Sequence, residues 1–339
     1  MLTLKCSIKI TGKDSKKKTI SLDYCNNIEV KTSIKNLTDT ATVKIPRKIK
    51  WREKPVFDFL NRDDQISIAI GYEEYGMETV FNGYITSVEN GFPIVIKCEN
   101  EMRILKSIST KEAKKYDKFD LKKFFKDNDV DIDVVMLGDV SFGAMNINKD
   151  VTIAQALDKI MQTYTYLKCY FSDGKFYAVM LTTPSAEKKA IVFSPDRNMI
   201  SDNLTYTLAE DVKVFVKAVH INSDNSKIEV YSPKDAEKKK DGLSQQQFYF
   251  PECPDKDKNA LQDFADKKLK EFKVDKMTGT FTSFGIPFLR KSDIVGLRDN
   301  LKKERDGRRF VVDGVDYNFT TSGYRQVITL GDEIKSDYL

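Results

Sequence analysis

The side chains best suited to chemistry are few and scattered. His220 is the single histidine of the chain. Any Ser-His-Asp or Cys-His arrangement must therefore run through it, and a zinc motif built on two histidines is excluded. His220 follows the alternating run 212–219, and no motif supplies a nucleophile or an orienting group for it. A strand histidine at the end of a sheet is the expectation. Asp127, Asp129, Asp131 and Asp133 have the spacing of a calcium loop, which needs glycine at position six and glutamate at position twelve. Those positions hold Ile132 and Gly138, so the run reads as an acidic turn between a helix and a strand. Cys6, Cys25, Cys98, Cys169 and Cys253 are odd in number, far apart and free of any CxxC, which points to reduced, buried or inert thiols. Two carboxylates across a cleft could hydrolyse glycosides, but among 51 acidic residues such a pair has no specificity. There is no GxGxxG, P-loop, HExxH or GxSxG. The expectation is a protein that is not an enzyme and carries no cofactor or metal.

Two further groups invite contact rather than catalysis. Lysines are dense in 111–126 and at Lys238–Lys240, but interleaved acids make solvated faces the expected reading. The net charge of +5 over 339 residues is too weak a bias to predict a nucleic-acid binder. Phe248, Tyr249 and Phe250 interrupt a polar stretch. They either anchor a neighbouring protein, where aromatic rings bury large areas, or tuck back as a short strand.

The elements that must position these groups are mostly strands. Residues 3–45 alternate apolar and polar, 55–60 read as a helical turn, and strands are expected at 65–71, 79–88 and 93–98. Asn90-Gly91 and Asp173-Gly174 are hairpin turns by composition, since type I′ turns need positive φ at both central residues. Leu121, Phe124 and Phe125 form a short amphipathic face, and a strand is expected at 130–136. Helix 152–166 has an apolar face of Ile153, Ala156, Leu157, Ile160, Met161 and Tyr164, opened by a Thr152/Gln155 capping box. Strand patterning at 203–221 places Val212, Val214, Val216 and Ala218 on one face. Residues 231–258 read as a long polar loop or arm, 257–273 as a second amphipathic helix, and 278–334 as strands.

The segment 64–101 resembles 293–333. Asp64, Gly83, Gly91 and Glu101 match Asp293, Gly314, Gly323 and Glu333 in order and near-equal spacing. This predicts a duplicated β unit. The fold expected is mainly β with an α+β insert: two similar, tube-like β-barrels at 1–105 and 191–339 flanking a small domain at 106–190.

The closing segment carries a family likeness. Gly285-Ile286-Pro287, Ser292-Asp293, 309–312 and above all Gly323-Tyr324-Arg325-Gln326-Val327-Ile328-Thr329-Leu330-Gly331 resemble the end of phage tail hub proteins of the late control protein D family. The helix and hairpin at 152–181 are similar to that family's insert. Asn318 departs from the pattern, standing where histidine is frequent. The resemblance implies a structural baseplate hub of a phage or phage-derived injection particle, located in the virion and assembled in the host cytoplasm. It further implies a homo-trimer forming a pseudo-hexameric ring, joined to a tail tube protein and to a separate spike protein. The tape-measure protein is a further candidate partner, and DNA is met only in transit. The chain ends eight residues after Gly331, which is why the spike is expected to be a separate polypeptide. No stretch approaches 18 apolar residues, and the first 20 lack a signal-peptide core, so neither export signal nor membrane anchor is expected. The alternatives are a non-catalytic β-rich binding module and a tail-associated cell-wall hydrolase.

Overall fold

The computed structural model describes residues 2–13, 19–137, 145–164, 167–180, 189–222, 226–235, 242–250, 253–254 and 256–334. They fall into two compact units, Met1–Asn203 with Gly279–Leu339, and Leu204–Thr278.

In the larger unit, alternating side chains build the opening strands. β1 (Leu4–Thr11) buries Cys6, Ile8 and Ile10, and β2 (Thr19–Leu22), β3 (Asn27–Ser33) and β4 (Thr40–Ile45) continue the pattern. A two-residue pair, β5 (Lys50–Trp51) and β6 (Lys54–Pro55), leads into a 3-10 turn at Val56–Phe59. β7 (Gln65–Tyr72), β8 (Gly76–Glu89) and β9 (Ile94–Glu99) form an antiparallel meander. The β8–β9 connection lies where Asn90-Gly91 predicts it, but neither residue has a positive φ. Pro93 has no N–H to offer a ladder, and pairing resumes only at Ile94, so the loop has four residues.

Next come α1 (Met102–Leu105), β10 (Lys114–Tyr116), α2 (Leu121–Asp127), β11 (Val134–Leu137), β12 (Met145–Ile147), α3 (Ile153–Thr163), β13 (Leu167–Ser172) and β14 (Lys175–Met180). These share one core in which Phe124, Phe125, Leu157, Ile160, Leu167 and Phe176 are fully buried. The capping box forms: Thr152 accepts from the Gln155 N–H, and the Gln155 side chain accepts from the Thr152 N–H. Asp173-Gly174 makes the tight left-handed turn, with φ of 50° and 75°. The strand expected at 130–136 begins only at Val134.

The chain continues through β15 (Ile191–Phe193) and β16 (Met199–Thr207). The smaller unit holds β17 (Val214–Ile221), β18 (Lys227–Ser232), β19 (Ser244–Tyr249) and α4 (Lys258–Phe272). Its sheet order is β18-β17-β19, with β19 parallel to β17. The loop expected over 231–258 thus contains a strand: Ser244–Tyr249 finds its backbone partners on β17, a non-local pairing that polar composition does not signal. Lys238–Lys240 lie outside the described residues. The larger unit closes with β20 (Lys276–Phe284), β21 (Ile294–Leu297), β22 (Arg309–Thr320) and β23 (Gly323–Glu333).

The sheet order repeats. β3-β4-β9-β8-β7 and β16-β20-β23-β22-β21 follow the same path, 1-2-5-4-3 in chain order. Both copies bulge near their matched glycines, at Ile85/Ser87 in β8 and at Phe310–Gly314 in β22. At both glycines the backbone packs closely against a carbonyl. A Cβ on Gly83 would stand 2.2 Å from the Glu99 oxygen, and one on Gly314 2.5 Å from the Thr32 oxygen. The expected closed barrels are not found among the described residues. β22 instead pairs with β3 through Gly314–Ser33 to Thr320–Asn27, which carries both copies into one open sheet running from β16 to β2. The copies also differ at one flank: β1 joins β7 antiparallel, whereas β15 joins β21 parallel.

Candidate functional site

The groups singled out in the sequence are mostly satisfied by near neighbours. His220 is buried on β17, and its Nδ1–H donates to the Phe250 carbonyl at 2.8 Å, so it ties β17 to the segment following β19. Asp127 accepts from Lys114 Nζ at 2.8 Å and from the Tyr116 hydroxyl at 3.0 Å. Asp129 pairs with Lys111, and Asp133 with Lys175 at 3.5 Å. Three of the four aspartates are therefore paired with lysines, and the twelfth position of the run, Gly138, lies outside the described residues. The rings of Phe248 and Phe250 meet α4 of their own unit: Phe250 stacks on Phe264 at 4.4 Å, and Phe248 lies 5.9 Å from Phe272. Tyr249 is the last residue of β19.

What the sequence did not single out is a buried ionic centre in the larger unit. Asp39, in the turn between β3 and β4, is 6% exposed, and Lys291, ahead of β21, is 7% exposed. Lys291 Nζ donates to Asp39 Oδ2 at 2.5 Å. Asp39 also accepts from the Ser33 N–H at 3.1 Å and from Asn100 Nδ2 at 3.3 Å. The ammonium lies 5.0 Å from the centre of the Tyr170 ring, on β13. Early, middle and late segments of the chain thus meet on one ion pair. Burial pushes the Asp39 carboxyl above its ordinary range, against the opposing pull of Lys291, and burial likewise raises Glu101 beside it. A raised carboxyl in a cleft can mark a catalytic acid. Here the cleft is only about 60 Å³, and each partner of Asp39 is a structural one, so the arrangement acts as a pin. Its members lie 252 positions apart, too far for a spacing motif to reveal.

The second feature is an outer set of edges and tips. β16 ends the sheet path. Beyond Ile85, the edge of β8 that β7 lines over Gly76–Tyr84 has no strand paired to it among the described residues. Tyr75, between β7 and β8, is 66% exposed, and Leu301, between β21 and β22, is 91% exposed. These two loops occupy the same place in the two copies. An apolar residue inside a polar turn, as in Glu73-Glu74-Tyr75-Gly76 and Asp299-Asn300-Leu301-Lys302, was the signal that could have revealed them.

Among solved structures this fold is that of phage tail proteins and type VI secretion components. No protein-family model and no curated protein matches the sequence. A tail protein from Neisseria meningitidis superposes with a TM-score of 0.67 at 14% identity, over 97% of each chain. The 43 kDa tail protein of prophage MuSo2 from Shewanella oneidensis gives 0.63 at 13% identity, over 96% of this chain and 97% of that one. An Escherichia coli component of the type VI secretion system, itself described as similar to T4 tail proteins gp27 and gp5, gives 0.54 at 8% identity, over 98% of this chain and 77% of that one.

Proposed function

We propose that this chain is a non-enzymatic baseplate hub of a phage tail or phage-derived injection particle. In this reading three copies form a pseudo-hexameric ring in the virion, between a six-fold tail tube and a separate spike. The first copy is 1–105, the insert 106–190 and the second copy 191–339. The observation that carries the reading is the strand order used twice within one chain, in a fold shared with tail proteins along nearly the whole length. Two similar sheets per chain, times three chains, offer six similar faces, which is how a three-fold assembly can meet a six-fold one.

The pairing of β22 with β3 supplies a template for the joint between chains. The equivalents of β22 and β3 in the other copies are β8 and β16. The outer edge of β8 beyond Ile85 and the terminal strand β16 are the two surfaces that such a joint would consume, and an open strand edge is a ready template for another chain.

Co-expression with a tail tube protein and a spike protein, followed by electron microscopy, tests the reading. Three-fold rings between tube and spike are expected. Particles with no density for this chain at the tube's end would sink it. A proline scan over Ile200–Asn203 tests the joint, because alternate positions remove an outward N–H. At those positions circular dichroism should be unchanged while ring formation falls at least tenfold.

A further inference from the structure

Cys6, on β1, and Cys25, between β2 and β3, are 5% and 4% exposed, and their sulfurs lie 3.9 Å apart. The sequence alone assigns them no partnership, since 19 residues separate them and five cysteines make an odd set. The fold brings them together because β2 folds back antiparallel on β1, from Thr11–Thr19 to Ile8–Leu22. Continued past Leu22, the chain delivers Cys25 to the level of Cys6. The two thiols are at van der Waals distance, about 2 Å from the separation of a bonded pair, and a change of side-chain rotamers spans that gap.

The two sulfurs are not equivalent. The sulfur–sulfur contact, in which either thiol can be the donor, lowers the Cys6 thiol from its ordinary range, while that same contact and burial raise Cys25. In thiol–disulfide chemistry the group more readily ionised attacks first. β2 has four residues and, among the described residues, ends the sheet path with β1 as its one partner, so this end of the sheet opens locally at small cost, and Cys25 lies three residues beyond it.

We propose that Cys6 and Cys25 are a redox-set clasp, which closes to a disulfide by exchange with a small-molecule disulfide. The Cys6 thiolate attacks one sulfur of the small disulfide, forming a mixed disulfide and releasing one small thiolate. The Cys25 thiolate then attacks Cys6 Sγ, forming the Cys6–Cys25 bond and releasing the second. The two protons leave with the two small thiols, so the protein is oxidised by two electrons and the small disulfide is reduced by two. The bond fastens the segment that follows the sheet's terminal strand to β1. It is open in a reducing cytoplasm and closed in an oxidising medium, and the chemistry stands whether or not the chain is a hub.

The test is incubation of the native full-length protein with oxidised glutathione at neutral pH, followed by alkylation and mass spectrometry. The expected product is lighter by two hydrogens and yields a linked peptide pair containing Cys6 and Cys25, with Cys98, Cys169 and Cys253 alkylated after unfolding. Cys25→Ser should trap glutathione on Cys6, because the resolving thiol is gone. Cys6→Ser should react at Cys25 at least tenfold more slowly. Five alkylatable thiols after prolonged oxidation of the wild type, a stable glutathione adduct on its Cys6, or a linkage formed only in denaturant would each overturn the proposal. The wild-type measurement holds even if a serine variant fails to fold.

Discussion

The Asp39–Lys291 pair shows how a single contact can hold distant parts of a chain. Removing one partner of a buried ion pair leaves an uncompensated charge and costs about 3–5 kcal/mol. Lys291→Met is therefore expected to lower the unfolding free energy in urea by about that amount, and Lys291→Met with Asp39→Asn by clearly less. The pH dependence has a definite sign. Burial raises the folded-state pKa of Asp39, Glu101 and Asp313. Each then binds its proton more readily folded than unfolded, so its contribution is fully present below the ordinary carboxylate range and is lost as pH rises through the raised value. Asp127 and Glu229 are shifted the other way, by lysine partners, and lose their contributions only in stronger acid. The urea midpoint of the wild type should fall as pH is raised from just above the ordinary carboxylate range toward neutrality. Asp39→Asn should flatten that slope, and the cost of Lys291→Met should be larger at neutral pH than in mild acid.

At the scale of elements, local chemistry decides some boundaries and tertiary pairing decides others. The Thr152/Gln155 box closes on residues three apart, and nothing distant is needed to start α3. Thr152→Ala should cost about 1 kcal/mol, readable as a shift of the urea midpoint with an unchanged denaturant slope. Asp173-Gly174 likewise makes its left-handed turn from its own backbone preferences. β19 is the contrary case. Its sequence, Ser244 to Tyr249 with three successive glutamines, has little strand character, and it becomes a strand because β17 offers a parallel edge. The rings of Phe248 and Phe250 then fall against α4, so a stretch that reads as an exposed arm packs partly buried aromatic rings against the smaller unit's core.

At the scale of the molecule, duplication makes paired predictions possible. If the two copies present equivalent loops to a six-fold tube, Tyr75 and Leu301 do similar work from similar places. Tyr75→Asp and Leu301→Asp should each weaken tube docking in sedimentation by about tenfold or more, since burying an unpaired charge in an apolar contact is costly. Neither should change the melting curve of the isolated chain, because both side chains are already in solvent. A variant that weakens docking from one loop alone, with the other silent, would mean that the copies have diverged in role.

Composition, hydrophobic period and turn residues sufficed for the mainly β character, the helices α3 and α4, and the duplicated meander with its glycines. Each of these rests on residues within one or two turns of each other, or on a spacing preserved between two copies. The open sheet in place of two barrels, the strand at Ser244–Tyr249, the Asp39–Lys291 pin and the meeting of Cys6 with Cys25 were decided only in three dimensions. Those features depend on which strand edge lies beside which and which buried charges face each other. Such partnerships are selected by the free energy of the assembled sheet and core, and no window along the chain contains both members.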